Sequence, residues 1–193
     1  MTAIFEFSSG ILVIVVGLAI THLLAGLGSI IRYRRHLEVD WLPMVWMVVL
    51  LLVLVGWCYA IWDILHEVET LEFTHFLVFF LASILFYLAA RLITPDINDA
   101  SRLNLRDVFL ETKTAFFLTS AAAFTVIHVY IWVLEGFAFY TSTLEGILGF
   151  ALLILLPIGA VLKKPKPHWV LVTLWTALYL GQQFMQGALA QSI

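Results

Sequence analysis

From Trp41 to Trp62 the chain reads WLPMVWMVVLLLVLVGWCYAIW, without one charged side chain. Such a run satisfies itself only as a helix whose backbone bonds close internally, and a helix that crosses a bilayer needs about 20 predominantly apolar residues. The pattern recurs along the chain. Windows near 10–31, 42–64, 74–94, 114–134, 143–162 and 168–190 are each long and apolar enough to span. Charged residues make up 12% of the 193 positions, where roughly 25% is typical of soluble domains. The sequence therefore predicts an all-α fold: a polytopic transmembrane helix bundle of six spans, forming a single transmembrane domain over 1–193 in a lipid bilayer, with no separate soluble domain.

The basic residues orient those spans. All ten fall in three connections: Arg32, Arg34 and Arg35 after the first window, Arg91, Arg102, Arg106 and Lys113 around the third, and Lys163, Lys164 and Lys166 after the fifth. Loops rich in Lys and Arg stay cytoplasmic, which predicts both termini on the non-cytoplasmic side. The opposite connections agree, because 66–72 (HEVETLE) and 135–145 carry acids and no basic residue. The first window is expected to persist in the mature protein, since MTAIFEFSS before it lacks Lys and Arg. The segment 95–113 reads as a cytoplasmic loop or short helix. Asn104 is a candidate N-cap, with Asp107 three residues on, either for a surface helix or for an extension of the fourth span. Pro157 falls inside the fifth span and is expected to kink or loosen it.

Inside the spans, polar groups are few. At about 100° per residue, Gly10, Gly17, Thr21, Ala25 and Gly28 share one sector of the first helix. This small-residue face would let another helix approach closely in lipid. His22 flanks it near mid-span, and His128 lies in the fourth helix. Two roles fit an intramembrane histidine: a hydrogen bond that holds neighbouring helices together, or a place in a functional polar site. The expected difference in height between the two is about 8 Å at 1.5 Å per residue. The sixth helix adds Gln182, Gln183 and Gln186, and Thr125 adds a hydroxyl one turn before His128. No Asp, Glu, Lys or Arg lies near the middle of any span, which argues against a carrier that relies on intramembrane carboxylates. Similar segments, GLAITH (17–22) with AFTVIH (123–128) and 74–88 with 167–180, suggest a candidate 3+3 inverted repeat.

Several function classes lack their signals. The chain has no G-x-S-x-G, Walker loop, H-E-x-x-H or C-x-x-C, so an enzymatic reading rests on histidine alone. Cys58 is the single cysteine, which excludes an internal disulfide and any multi-cysteine metal site. Dispersed basic residues leave no footprint for nucleic acid.

The stretch ITHLLAGLGSIIRYRR (20–35), followed by the Trp-rich second span, resembles small six-span integral membrane proteins of bacteria. The likeness is strongest over the first two spans. It implies an all-helical, multi-pass protein of the bacterial inner membrane and carries no activity and no functional residue with it.

Three readings follow. The first is a channel or transporter for an ion or small solute, homo-oligomeric through Gly10, Gly17, Ala25 and Gly28. Its intramembrane site would draw on His22, Thr21, His128, Thr125, Gln182 and Gln183. The second is a membrane redox protein in which His22 and His128 hold haem or approach a quinone. The third is an accessory or scaffold subunit of a larger membrane complex, with Trp46, Trp57 and Trp62 as its contact surface.

Overall fold

The computed structural model describes residues 3–67, 73–97 and 103–190, with side chains described over 10–62, 73–97 and 103–185. Among these, the helices are α1 (Ala3–Tyr33), α2 (Trp41–Glu67), α3 (Phe73–Ile93), α4 (Leu105–Glu135), a short α5 (Ala138–Ser142), α6 (Leu144–Val161) and α7 (Pro165–Ala190). Five helices contain segments long and apolar enough to cross a membrane: Gly10–Tyr33, Trp41–Trp62, Phe73–Ile93, Leu105–Glu135 and Leu144–Val161. The helix α7 runs for 26 residues but is the least apolar of the long helices, with Gln182 and Gln183 in its second half.

Local chemistry sets the helix ends. Asp40 Oδ1 accepts from Leu42 N at 2.8 Å at the start of α2, and Thr143 Oγ1 accepts from Gly146 N at 3.0 Å at the start of α6. Asn104 caps α4 by accepting from Arg106 N at 3.0 Å. From that cap the helix runs unbroken through Glu135, so the polar-to-apolar segment after Asn104 extends the fourth span. Each of these side chains satisfies one of the orphan N–H groups of a first turn. Gly136 ends α4 with φ 77°, a conformation that glycine adopts without steric penalty. Pro157 lies within α6 without ending it and has no N–H for the Leu153 carbonyl.

Two residues of strand tie the connections at one end. In a parallel pair, Leu37 lies opposite Leu103 and Glu38 opposite Asn104, and Asn104 Nδ2 donates to Glu38 Oε2 at 2.7 Å. That end also carries Arg32, Lys113 and Lys163, and is called the basic end below. The opposite end holds the last turn of α2, the first turn of α3 and the α4–α6 connection with Glu135 and Glu145, and is called the acidic end.

In the bundle, α3 packs along both α1 and α4, α4 packs on α6, and α6 on α7, while α2 touches α1, α3, α4 and α7. The half toward the basic end is filled by aromatic rings. Trp46 meets Phe117 edge-on at 4.9 Å and Trp175 at 6.4 Å, and His168 stacks on Phe117 at 5.7 Å. His168 is fully buried and its Nε2–H donates to the Leu162 carbonyl at 3.2 Å, which pins the α6–α7 connection against α4. Lys113 is also buried. Its ammonium donates to the Ala160 carbonyl at 2.8 Å, one of the last carbonyls of α6, where the helix dipole favours a cation. Nearer the middle, Trp57 Nε1 donates to Ser83 Oγ at 3.0 Å and Ser83 donates to the Phe79 carbonyl at 2.7 Å. Interhelical bonds of this kind contribute about 0.6 kcal/mol on average in membranes.

These contacts correct one expectation. Trp46 and Trp57 are 2% and 7% exposed, so of the three tryptophans expected to form an outer contact surface only Trp62 faces outward. The small-residue face of α1 points away from the bundle: Ala25 and Gly28 are exposed, Gly10 and Gly17 half-buried. A Cβ built at Gly10, Gly17 or Gly28 would meet nothing within 4 Å. Close approach inside the chain occurs instead at Gly26, on the neighbouring sector, where Thr94 of the α3 end and Met47 of α2 press against the backbone.

Candidate functional site

Toward the acidic end, α2, α3, α4, α6 and α7 surround a partly open cavity of about 470 Å³, a size within the roughly 300–1,000 Å³ typical of small-molecule sites. Nine of its twenty lining residues are Phe, Tyr or Trp. The helix α2 contributes Trp57 and Tyr59, α3 contributes Phe79 and Phe86, and α4 contributes Phe124 and Tyr130. Polar atoms enter from His128 on α4, Glu145 on α6, and Gln182 and Gln183 on α7. The short helix α5 closes one side with Phe139 and Tyr140.

His128 is held on three sides. Its Nδ1 lies 2.8 Å from the Phe124 carbonyl, to which it donates, and the ring also hydrogen-bonds the Gly149 backbone of α6. Tyr140 stacks on the imidazole at 5.8 Å and donates its hydroxyl to the His128 carbonyl at 2.7 Å. Burial pushes the Tyr140 phenol above its ordinary value, which keeps it protonated as that donor. On the remaining side lies Gly149 of α6. A Cβ there would come within 2.9 Å of His128 Nε2 and 3.3 Å of Gln182 Nε2, so the absence of a side chain is what lets both polar groups reach this wall.

A second glycine performs the same service on α2. The Tyr179 hydroxyl occupies the space a Cβ at Gly56 would take, and it donates to the Leu52 carbonyl at 3.4 Å. Gln183 Oε1 is the next neighbour, 3.4 Å from that Cβ position. Gln182 Nε2 donates to the Glu145 backbone carbonyl at 3.4 Å, linking α7 to the first turn of α6.

The residues singled out from sequence therefore separate. His128, Gln182 and Gln183 share the cavity. Thr125 does not line it; its side chain is exposed and its hydroxyl donates to the Ala121 carbonyl of its own helix at 2.8 Å. Thr21 is exposed on α1. His22 is half-buried beside Arg91, whose Nη1 donates to His22 Nε2 across 3.4 Å. Arg91 sits in the last turn of α3, so this contact joins the middle of the first candidate span to the basic-end turn of α3. Phe86 against Phe124 (5.8 Å) and Phe79 against Tyr130 (5.5 Å) set α3 in register with α4. On that register Arg91 lies about nine residues, roughly 13 Å, from the level of His128. His22 is not among the residues that line the cavity holding His128. Among the described residues no group of three or more His, Cys, Asp or Glu could hold a metal ion.

Gly56, Gly149, Tyr140, Tyr179 and Glu145 complete the site and were not among the residues chosen from sequence. Comparison with protein-family models, curated proteins and solved structures finds no match to this chain.

Proposed function

We propose that the chain is a six-span protein of the bacterial inner membrane that binds a small solute in the cavity toward its acidic end and carries it across as a transporter. In this reading α7 is the sixth crossing, and the acidic connections and both termini lie on the outer face. The observation that carries it is the convergence of His128, Gln182 and Gln183 from two helices on one aromatic-walled space of about 470 Å³. The packed half of the bundle favours a carrier over an open channel. At the level of Trp46, Phe117 and Trp175 the rings are in contact, and a continuous water-filled path would have to pass through them. A binding space closed below by packed side chains is the arrangement from which alternating access starts.

The test is thermal unfolding of the purified protein in mild detergent with millimolar representatives of four solute classes: a carboxylate, a neutral amide, an aromatic alcohol and a quaternary ammonium. At least one class is expected to raise the Tm, and Gly149→Leu, which fills the cavity wall, is expected to abolish the rise. If no class shifts the Tm, or if the shift survives in Gly149→Leu, the cavity is not a solute site and the reading fails.

A further inference from the structure

From what the cavity wall leaves unbonded we infer that its ligand is an uncharged, largely aromatic or apolar molecule carrying an amide group that pairs with Gln183. This rests on the reading of the cavity as a solute site and adds the class of solute. Most polar groups of the wall are already engaged within the protein. Trp57 Nε1 donates to Ser83 Oγ at 3.0 Å, the Tyr140 hydroxyl to the His128 carbonyl at 2.7 Å, and the Tyr179 hydroxyl to the Leu52 carbonyl at 3.4 Å. The His128 ring is committed to the backbone of Phe124 and Gly149. Glu145, the one carboxylate in the lining, has a partner of its own, as does Tyr130, and no Lys or Arg lines the space.

Gln183 is the exception. Its half-buried side chain stands in the lining with Oε1 3.4 Å from the position of a Cβ at Gly56, and among the described residues its amide has no hydrogen-bond partner. Gln182, the residue before it, makes one bond, through Nε2, and keeps its carbonyl oxygen. Tyr59 is 58% exposed, so its hydroxyl does not depend on a ligand. What remains for a ligand is aromatic surface, the two glutamine carbonyl oxygens and the Gln183 amide N–H groups, all uncharged. A charged solute would leave water with no free counter-ion to meet it, a cost that an unpaired buried charge does not recover. A sugar would set many hydroxyls against rings and against polar groups already bonded. A wholly apolar occupant such as an acyl chain would leave the Gln183 amide unpaired, at the cost of an unmade hydrogen bond. A primary amide presents an acceptor and a donor side by side. An amide on the ligand can therefore pair with Gln183 through two parallel bonds while its apolar body lies on the rings, for which a space of about 470 Å³ leaves room.

The experiment is calorimetric titration of the detergent-purified full chain with benzamide, with its cationic analogue benzamidinium, with its anionic analogue benzoate, and with isopropylbenzene, which keeps the shape and lacks the amide. Benzamide is expected to bind about tenfold or more tightly than either charged analogue. Gln183→Met, which keeps the length of the side chain and removes both amide functions, should lower the affinity for benzamide about tenfold and leave that for isopropylbenzene within about twofold. Binding of benzamidinium or benzoate as tight as that of benzamide, or benzamide binding that Gln183→Met leaves unchanged, overturns the inference; loss of that binding in Gly149→Leu would leave the cavity reading standing. Benzamide binding that Gly149→Leu does not weaken overturns both, because the site would lie elsewhere. Absence of benzamide binding also overturns the inference. If either variant does not yield folded protein, the comparison of benzamide with its two charged analogues on the unmodified chain decides alone.

Discussion

Gly149 and Gly56 shape the cavity by what they omit. His128, Gln182 and Tyr179 reach the wall only because two helix backbones present no Cβ there. Gly56→Ala is expected to push the Tyr179 hydroxyl off the Leu52 carbonyl and to destabilise the bundle by about 1–3 kcal/mol, the usual cost of inserting a methyl into a filled space. Thermal unfolding in detergent measures this, and Gly28→Ala, where a Cβ meets nothing, serves as the control expected to shift little. His128, Gln182 and Gln183 were legible in the sequence because an ionisable ring or an amide inside an apolar helix stands out. The two glycines were not, because a glycine within a span reads the same whether a side chain presses on it or lipid does. His22 and Thr21 were selected by the same polarity signal as His128. Their divergence is a matter of rotation and depth, which follow from Arg91 and Thr94 on another helix.

At the level of elements, the caps and one buried cation account for where α4 and α6 begin and end. Asn104 has two jobs, accepting from Arg106 N and donating to Glu38. Asn104→Ala is expected to cost about 1 kcal/mol through the lost cap. Asn104→Asp keeps the cap acceptor but sets a carboxylate against Glu38, and partial rescue by Glu38→Gln in the Asp background would show that the cross-connection pair operates. Lys113→Ala removes a donor from the Ala160 carbonyl and the apolar stem that carries it, an expected loss of about 1–3 kcal/mol in a denaturation series, with Thr114 at 3.3 Å retaining part of the carbonyl's bonding. The positive cluster around the third span was legible as a topology signal. The burial of Lys113 was not, because a lysine in sequence reads as solvated until a helix C-terminus is found within reach. The Asn104 signature, by contrast, is local chemistry, and local chemistry survives the absence of tertiary information.

For the molecule as a whole, hydropathy pointed to an all-helical architecture, because an unbroken apolar run of about 20 residues closes its backbone bonds internally as a helix, whereas a membrane β-barrel is built from shorter strands of alternating polarity. Which helices pair is not written in hydropathy. The first helix packs mainly on α3, whereas α4 packs on both α3 and α6, and side-chain contacts between spans far apart in sequence decide such partners. In the proposed six-span reading α7 is the sixth crossing, and the same glutamines that line the cavity dilute its apolar pattern. The central claim is that this cavity is a solute site reached from the outer face. It is tested most directly by thiol accessibility: with Cys58, the single cysteine, replaced by Ser, Gln183→Cys is exposed to a membrane-impermeant maleimide in right-side-out vesicles. Labelling from the outside, slowed by the solute class that raises the Tm, is the expected result; labelling only in inside-out vesicles, or none until the protein is denatured, would contradict the account.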